Sequence, residues 1–239
     1  LNKLVELLNK GISPVVFEKG SLGASGDLAP LSHMSLPIIR LGEVIYKGKR
    51  MDTMDAFNEL GINPIKRLKA KEGLSLINGT QAMTSVGAIT LYDAFRLYKL
   101  SNISLSMTIE ATNGILDAFD PRVHTARGQL GQIEVAKEIL TFLEGSSYTT
   151  RQGELRMQDA YSIRCAPQVH GAVLDALNFV KEKVEIEMNA VTDNPVIFIE
   201  DGLAISAGNF HGEPLAMPFD YLGIAISENV NVFSPACDA

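Results

Sequence analysis

GSLGASGDLAPLSHM, residues 20–34, sets Gly20, Gly23 and Gly26 around one serine, Ser25, and runs straight into an apolar segment. Asp27 stands where a helix N-cap belongs, and Pro30 falls in the first turn that would follow. A glycine-rich turn capped by Asp27 accounts for that layout, but not for the small residues Ala24 and Gly26 on either side of Ser25. A nucleophile elbow needs G-x-S-x-G after a buried strand, and Asp27 occupies the last place here. No Gly-Lys-Ser/Thr follows to make a phosphate loop, and glycines three apart without a preceding strand are no dinucleotide fingerprint.

Outward from this stretch, helical periodicity dominates. Ala88, Leu91, Tyr92, Phe95 and Tyr98 form one stripe, Ile133, Ala136, Leu140 and Leu143 a second, and Val173, Leu177, Val180 and Val184 a third. LNKLVELLNKG (1–11) reads as an amphipathic helix stopping at Gly11. Strand signals are confined to EVIYKGKRM (43–51), a hairpin about Lys47-Gly48, and PVIFIEDGLAIS (195–206), with Asp201-Gly202 at its turn. No repeat or linker divides the chain, so residues 1–239 are expected to form one mainly α domain, a bundle of long helices with two small β-hairpin excursions. Helices this apolar pack against other helices, often across subunits; a monomeric helical core is the alternative.

The bulk properties are those of an ordinary globular protein: 239 residues, 46% hydrophobic, 21% charged, formal charge −7. Without a basic block, nucleic acid is not an expected partner. No apolar run reaches the roughly 18 residues of a membrane span. Two cysteines, Cys165 and Cys237, make a poor disulfide framework, and no signal-peptide layout opens the chain, so the expected location is cytoplasmic. His33, His124, His170 and His211 lack ligand spacing, so no metal is expected. His33 is given no catalytic role.

One chemistry explains Ala24-Ser25-Gly26. If the nitrogen of Gly26 attacks the carbonyl carbon of Ala24 and that oxygen leaves as water, a five-membered imidazolone closes around Ser25. Loss of the serine hydroxyl as water then leaves an exocyclic methylene. Small neighbours matter because a bulky Cβ obstructs the contortion of ring closure. The product is an electrophile, which no standard side chain provides, and the N–H groups opening the next helix would favour negative charge developing on it.

With that chemistry the chain resembles the aromatic amino-acid ammonia-lyases, and its wording is most similar to the histidine-specific members. The resemblance runs from GSLGASGDLAPLSHM through KEGLSLINGTQAM (71–83), QDAYSIRCAPQVHGA (158–172), NAVTDNP (189–195) and SAGNFHGEP (206–214), to about Asn231. It implies a helical fold of the ammonia-lyase/fumarase-like type and elimination of ammonia from an α-amino acid. For L-histidine the product is urocanate. The electrophile is a methylidene-imidazolone made autocatalytically from Ala24, Ser25 and Gly26, with no external cofactor.

Roles for other residues follow from the same resemblance. Asn78, otherwise a turn asparagine or a weak glycosylation sequon, would hold the substrate amine or the ring carbonyl. Gln158, Tyr161 and Arg164 stand at i, i+3 and i+6, which on a helix lets them face one cavity or form an exposed polar face. In the family Arg164 would bind the substrate carboxylate through its guanidinium fork, while Gln158 and Tyr161 orient ring and substrate, Tyr161 also assisting proton movement. Phe210, otherwise an anchor for its loop, would pack beside the electrophile.

Family members extend beyond both ends of this sequence, so a central fragment is expected, lacking a tyrosine loop thought to supply the base and a pocket glutamate. VFSPACDA (232–239) does not match the family's continuation. Family pockets are built by a homotetramer; a partner chain supplying the outer segments is the other way to complete one. Two further expectations stand beside the histidine lyase: a non-catalytic homologue or binding scaffold, and a lyase or aminomutase for another aromatic amino acid. A serine hydrolase is the most distant, since no aspartate–histidine pair is evident for Ser25.

Overall fold

The computed structural model describes residues 1–22 and 26–231, the last three of them by backbone alone. In chain order the helices are α1 (Asn2–Asn9), α2 (Leu28–Ser35), α3 (Thr53–Leu60), α4 (Glu72–Ile77), α5 (Gln81–Ala111), α6 (Pro121–Arg127), α7 (Leu130–Phe142), α8 (Tyr161–Arg164), α9 (Ala166–Met188) and α10 (Glu213–Asn231). The strands are β1 (Ser13–Pro14), β2 (Glu43–Tyr46), β3 (Lys49–Asp52), β4 (Val196–Phe198) and β5 (Leu203–Ile205). The fold is therefore mainly α with small sheets. It divides into two compact units, residues 1–86 with 186–215, and residues 87–185 with 216–239.

In the first unit both expected hairpins are present. β2 and β3 pair antiparallel across Lys47 and Gly48, each with a left-handed backbone, and β1 adds a third strand that sequence reading missed. β1 is only two residues long, too short for an alternating pattern to register. β4 and β5 pair across a turn spanning 199–202, longer than the two residues expected, with Gly202 left-handed. Leu7 and Ile12 pack with Val44, Tyr46, Ala56, Phe57 and Ile62 to make this unit's core. Thr53 starts α3, the Asp52 carboxylate accepts the Met54 N–H at 2.8 Å, and left-handed Gly61 ends it. Beside this core, α2 packs on α4.

The second unit is built from long helices. α5 runs 31 residues, about 46 Å at 1.5 Å per residue. Leu91, Ala94, Tyr98, Leu105 and Ile109 of α5 are buried, as are Val135, Ala136 and Ile139 of α7 and Val173, Leu177, Val180 and Val184 of α9 in the same unit, and Asn102 of α5 ties to Glu138 of α7 and His170 of α9. The third stripe is thus buried throughout, whereas Tyr92 of the first stands 65% exposed. α7 and α9 meet at glycines: a Cβ on Gly131 would lie 2.1 Å from the Gly171 carbonyl oxygen. No helix among the described residues is long and apolar enough to cross a membrane.

Candidate functional site

Two clusters carry the residues singled out from sequence, one in each unit. Ala24 and Ser25 lie outside the described residues. Gly26, their neighbour, is described, and its surroundings are tight. Its backbone is left-handed, φ +79°, and a Cβ there would stand 2.7 Å from the Gly79 nitrogen, 3.1 Å from the Gly79 oxygen and 3.3 Å from Asn78 Oδ1. Only glycine fits such a place. Gly26 and the Asn78-Gly79 turn are therefore in contact, as a site built on both requires.

Asp27 makes that contact rigid. It is fully buried, and its N–H donates to the Gly79 carbonyl at 2.8 Å. It occupies the N-cap position of α2, as expected, but its side chain does not cap that helix. The carboxylate instead accepts the Met83 N–H at 2.7 Å, in the first turn of α5, and the Ser21 hydroxyl. The expected cap is corrected: a buried carboxylate takes whichever donors packing brings to it, and here these are on a helix distant in sequence.

Asn78 ends α4 and is 7% exposed. Its amide nitrogen donates towards Asp193 Oδ1 at 3.4 Å and the Asn194 carbonyl at 3.3 Å. Asp193 also accepts from Lys71 Nζ at 2.6 Å and Ser75 Oγ at 2.8 Å. Burial pushes the Asp193 carboxyl up, but the hydrogen bonds from Lys71, Ser75 and the Asn194 N–H, with the Lys71 charge, outweigh it and hold the group below its usual range. Lys71 and Asp193, 122 residues apart, stand inside two quoted motifs, and no local pattern marks them as a pair. Phe210, half-buried, sits in the turn before α10.

In the second unit a cavity of about 260 Å³ is lined in part by Ile115, Asp117, Gln158, Asp159, Arg164 and Gln168. It brings Gln158 and Arg164 together; Tyr161, 59% exposed, is not in its lining. The single-helix arrangement of these three residues does not hold. α8 begins only at Tyr161, Gln158 precedes it outside any helix or strand, and Cys165 ends it before α9 starts at Ala166. The cause is Asp159, whose buried carboxylate accepts the Ile115 N–H at 2.6 Å and Arg156 Nε at 2.6 Å, pulling this segment off a helical path. The Asp159 carbonyl then accepts Arg164 Nε at 3.0 Å, which sets the plane of the guanidinium. Gln168, whose Oε1 is buried without a hydrogen-bond partner, is a lining residue that sequence reading passed over.

Cys165 is a free, half-buried thiol, and Cys237 lies outside the described residues. Among the described residues no cluster of His, Cys, Asp and Glu could hold a metal ion.

Residues 1–237 match the family described as aromatic amino acid lyase. Among curated relatives, a histidine ammonia-lyase of Clostridium tetani is 59% identical over 97% of this chain and 45% of its own length. Among solved structures, a tyrosine aminomutase of Streptomyces globisporus superposes with a TM-score of 0.91 at 36% identity, covering 97% of this chain and 47% of that one. A histidine ammonia-lyase of Trypanosoma cruzi gives 0.86 at 36% identity, over 97% and 43% of the two chains. The chain spans a little under half the length of these proteins. It belongs to the aromatic amino acid lyase family.

Proposed function

We propose that this chain is the part of a carbon–nitrogen lyase that carries the electrophile and substrate-binding groups for eliminating ammonia from L-histidine to give urocanate. The observation that supports it best is the seat of Gly26, a backbone place with no room for a Cβ, pressed against Asn78-Gly79. A ring closed through the Gly26 nitrogen needs such a compressed turn, so the residues present fit a methylidene-imidazolone formed from Ala24, Ser25 and Gly26. That group supplies the electrophile that turns a poor amine leaving group into a better one. The choice of histidine rests on the curated relatives, among which the histidine ammonia-lyase of Clostridium tetani is 59% identical.

The chain's own residues then bind and orient. Arg164, its Nε committed to the Asp159 carbonyl, turns its terminal nitrogens to the substrate carboxylate. Gln158, in the same cavity, orients the substrate, and the Tyr161 phenol assists proton movement. Asn78 holds the substrate amine, and Phe210 shapes the pocket beside the electrophile. The pocket is completed in a homotetramer, for which exposed Ile89, Tyr92 and Met107 on α5 supply apolar surface. Two cysteines without a disulfide framework fit a cytoplasmic enzyme.

The test is an intact mass with peptide mapping across residues 20–34, joined to light scattering and a urocanate absorbance assay on the same sample. A deficit of two waters at Ala24-Ser25-Gly26, a tetramer and urocanate from histidine are the expected results. An unmodified mass would leave a non-catalytic scaffold, and a β-amino acid product would mark an aminomutase, whose fold this chain shares equally with the ammonia-lyases.

A further inference from the structure

The two oxygens of Asp193 do different things. Oδ2 is anchored at α4 by Lys71 Nζ at 2.6 Å and Ser75 Oγ at 2.8 Å. Oδ1 accepts the Asn194 N–H at 2.7 Å and faces Asn78 Nδ2 at 3.4 Å. The Asn194 carbonyl, 3.3 Å away, faces the same amide nitrogen. Asn194 is itself tied down, its Oδ1 accepting the Ala207 N–H at 2.8 Å and the Ser206 hydroxyl at 3.2 Å. A carboxylate and a carbonyl oxygen only accept, so the nitrogen end of the Asn78 amide must face them. The oxygen end is thereby turned the other way, to within 3.3 Å of where a Cβ on Gly26 would stand.

The geometry points to Asp193 as the positioning residue of this site: with the Asn194 carbonyl, it holds Asn78 so that its amide oxygen, an acceptor, faces Gly26. The inference rests on the proposed role of Asn78 and sharpens it. Of the two partners open to that asparagine, substrate amine or ring carbonyl, an acceptor suits only the amine, which has hydrogens to donate. The ion pair with Lys71, both side chains about one-fifth exposed, keeps the carboxylate ionised and in register.

Asn78-Gly79 offers a readout that does not depend on turnover. In an Asn-Gly pair the glycine nitrogen can attack the side-chain amide carbon and expel ammonia; water then opens the succinimide to aspartate or isoaspartate. An amide clamped by Asp193 and Asn194 cannot rotate into that attack. The chain carries a built-in control, Asn113-Gly114, in the other unit, where the Asn113 amide donates to the Tyr148 carbonyl at 3.1 Å.

The experiment uses the full-length protein and compares Asp193→Asn, Lys71→Met, Asn78→Ala and the Asp193→Asn/Asn78→Ala double variant. Asp193→Asn is expected to lower kcat on histidine about 10- to 100-fold, with KM moving less. It should add nothing further in the Asn78→Ala background, since it acts through that residue. It should also speed conversion of Asn78 to aspartate while Asn113 converts at its old pace. Lys71→Met, which keeps the carboxylate, gives the same pattern more weakly and stands in if Asp193→Asn does not fold. Wild-type turnover and wild-type conversion of Asn78 in both variants would overturn the inference. So would effects that multiply with Asn78→Ala, or faster conversion at both Asn-Gly pairs, the mark of general loosening. If the wild-type protein makes no urocanate, the proposed function fails, and the conversion rates at Asn78 and Asn113 alone decide the role of Asp193.

Discussion

Gly26 shows how little tolerance a single position can have. Its φ of +79° disfavours any side chain, and the three atoms around its missing Cβ belong to Asn78 and Gly79 of the turn it presses on. Neither the Gly79 backbone nor Asn78, gripped by Asp193, can retreat cheaply. Gly26→Ala is therefore expected to cost about 1–3 kcal/mol of stability through overpacking and backbone strain. The same variant should retain the unmodified mass at residues 20–34, because the compressed turn that favours ring closure is relaxed. A variant that folds and still shows the two-water deficit would show that the seat of Gly26 is not what drives the chemistry.

Helix contacts in the second unit are set by small residues as much as by large ones. α7 and α9 approach so closely that a Cβ on Gly171 would lie 2.4 Å from the Gln132 nitrogen, and the Gly131 N–H reaches the Asp175 carboxylate at 3.0 Å. Backbone, not a flexible side-chain tip, would meet the added methyl group, so the helices must separate and their buried neighbours lose contact. Gly171→Ala is expected to lower stability by about 1–3 kcal/mol in urea titration. An unchanged midpoint would mean that the two helices can move apart without penalty.

For the molecule as a whole, acid is a stress this core registers through its buried histidines. His170 is fully buried and its pKa is pushed down to about 4 by desolvation. Asn102 Nδ2 donates to Glu138 at 2.6 Å, so Asn102 Oδ1, 2.6 Å from His170 Nδ1, accepts a proton held on that nitrogen. A second proton would have to be buried as charge. Because the folded pKa lies below the unfolded 6.5, the unfolded chain binds more protons in between. Stability from this group is complete above pH 6.5 and is lost as pH falls towards 4, by about 3 kcal/mol in all. His124, also fully buried, is shifted in the same direction, first by desolvation. Urea titrations at neutral and mildly acid pH should show this loss, and His170→Gln should flatten it; an equal loss in the variant would assign the acid sensitivity elsewhere.

What was legible in the chain by itself was whatever short-range physics decides. The stripe of Val173, Leu177, Val180 and Val184 reads as a buried helix face because its period is that of the helix, and Lys47-Gly48 reads as a hairpin because of its turn chemistry. Ala24-Ser25-Gly26 suggests ring closure, which stands as the proposal above, because the reacting atoms lie within three consecutive residues. Tertiary structure alone decided where buried polar groups found their partners. Asp27 reaches Met83 rather than its own helix, Asp159 draws Gln158 off the helical path, and Asp193 reaches Lys71 and Asn78 across more than a hundred residues. A buried carboxylate must be satisfied by donors within about 3 Å, and the chain's path through space, which no local pattern encodes, determines which donors those are.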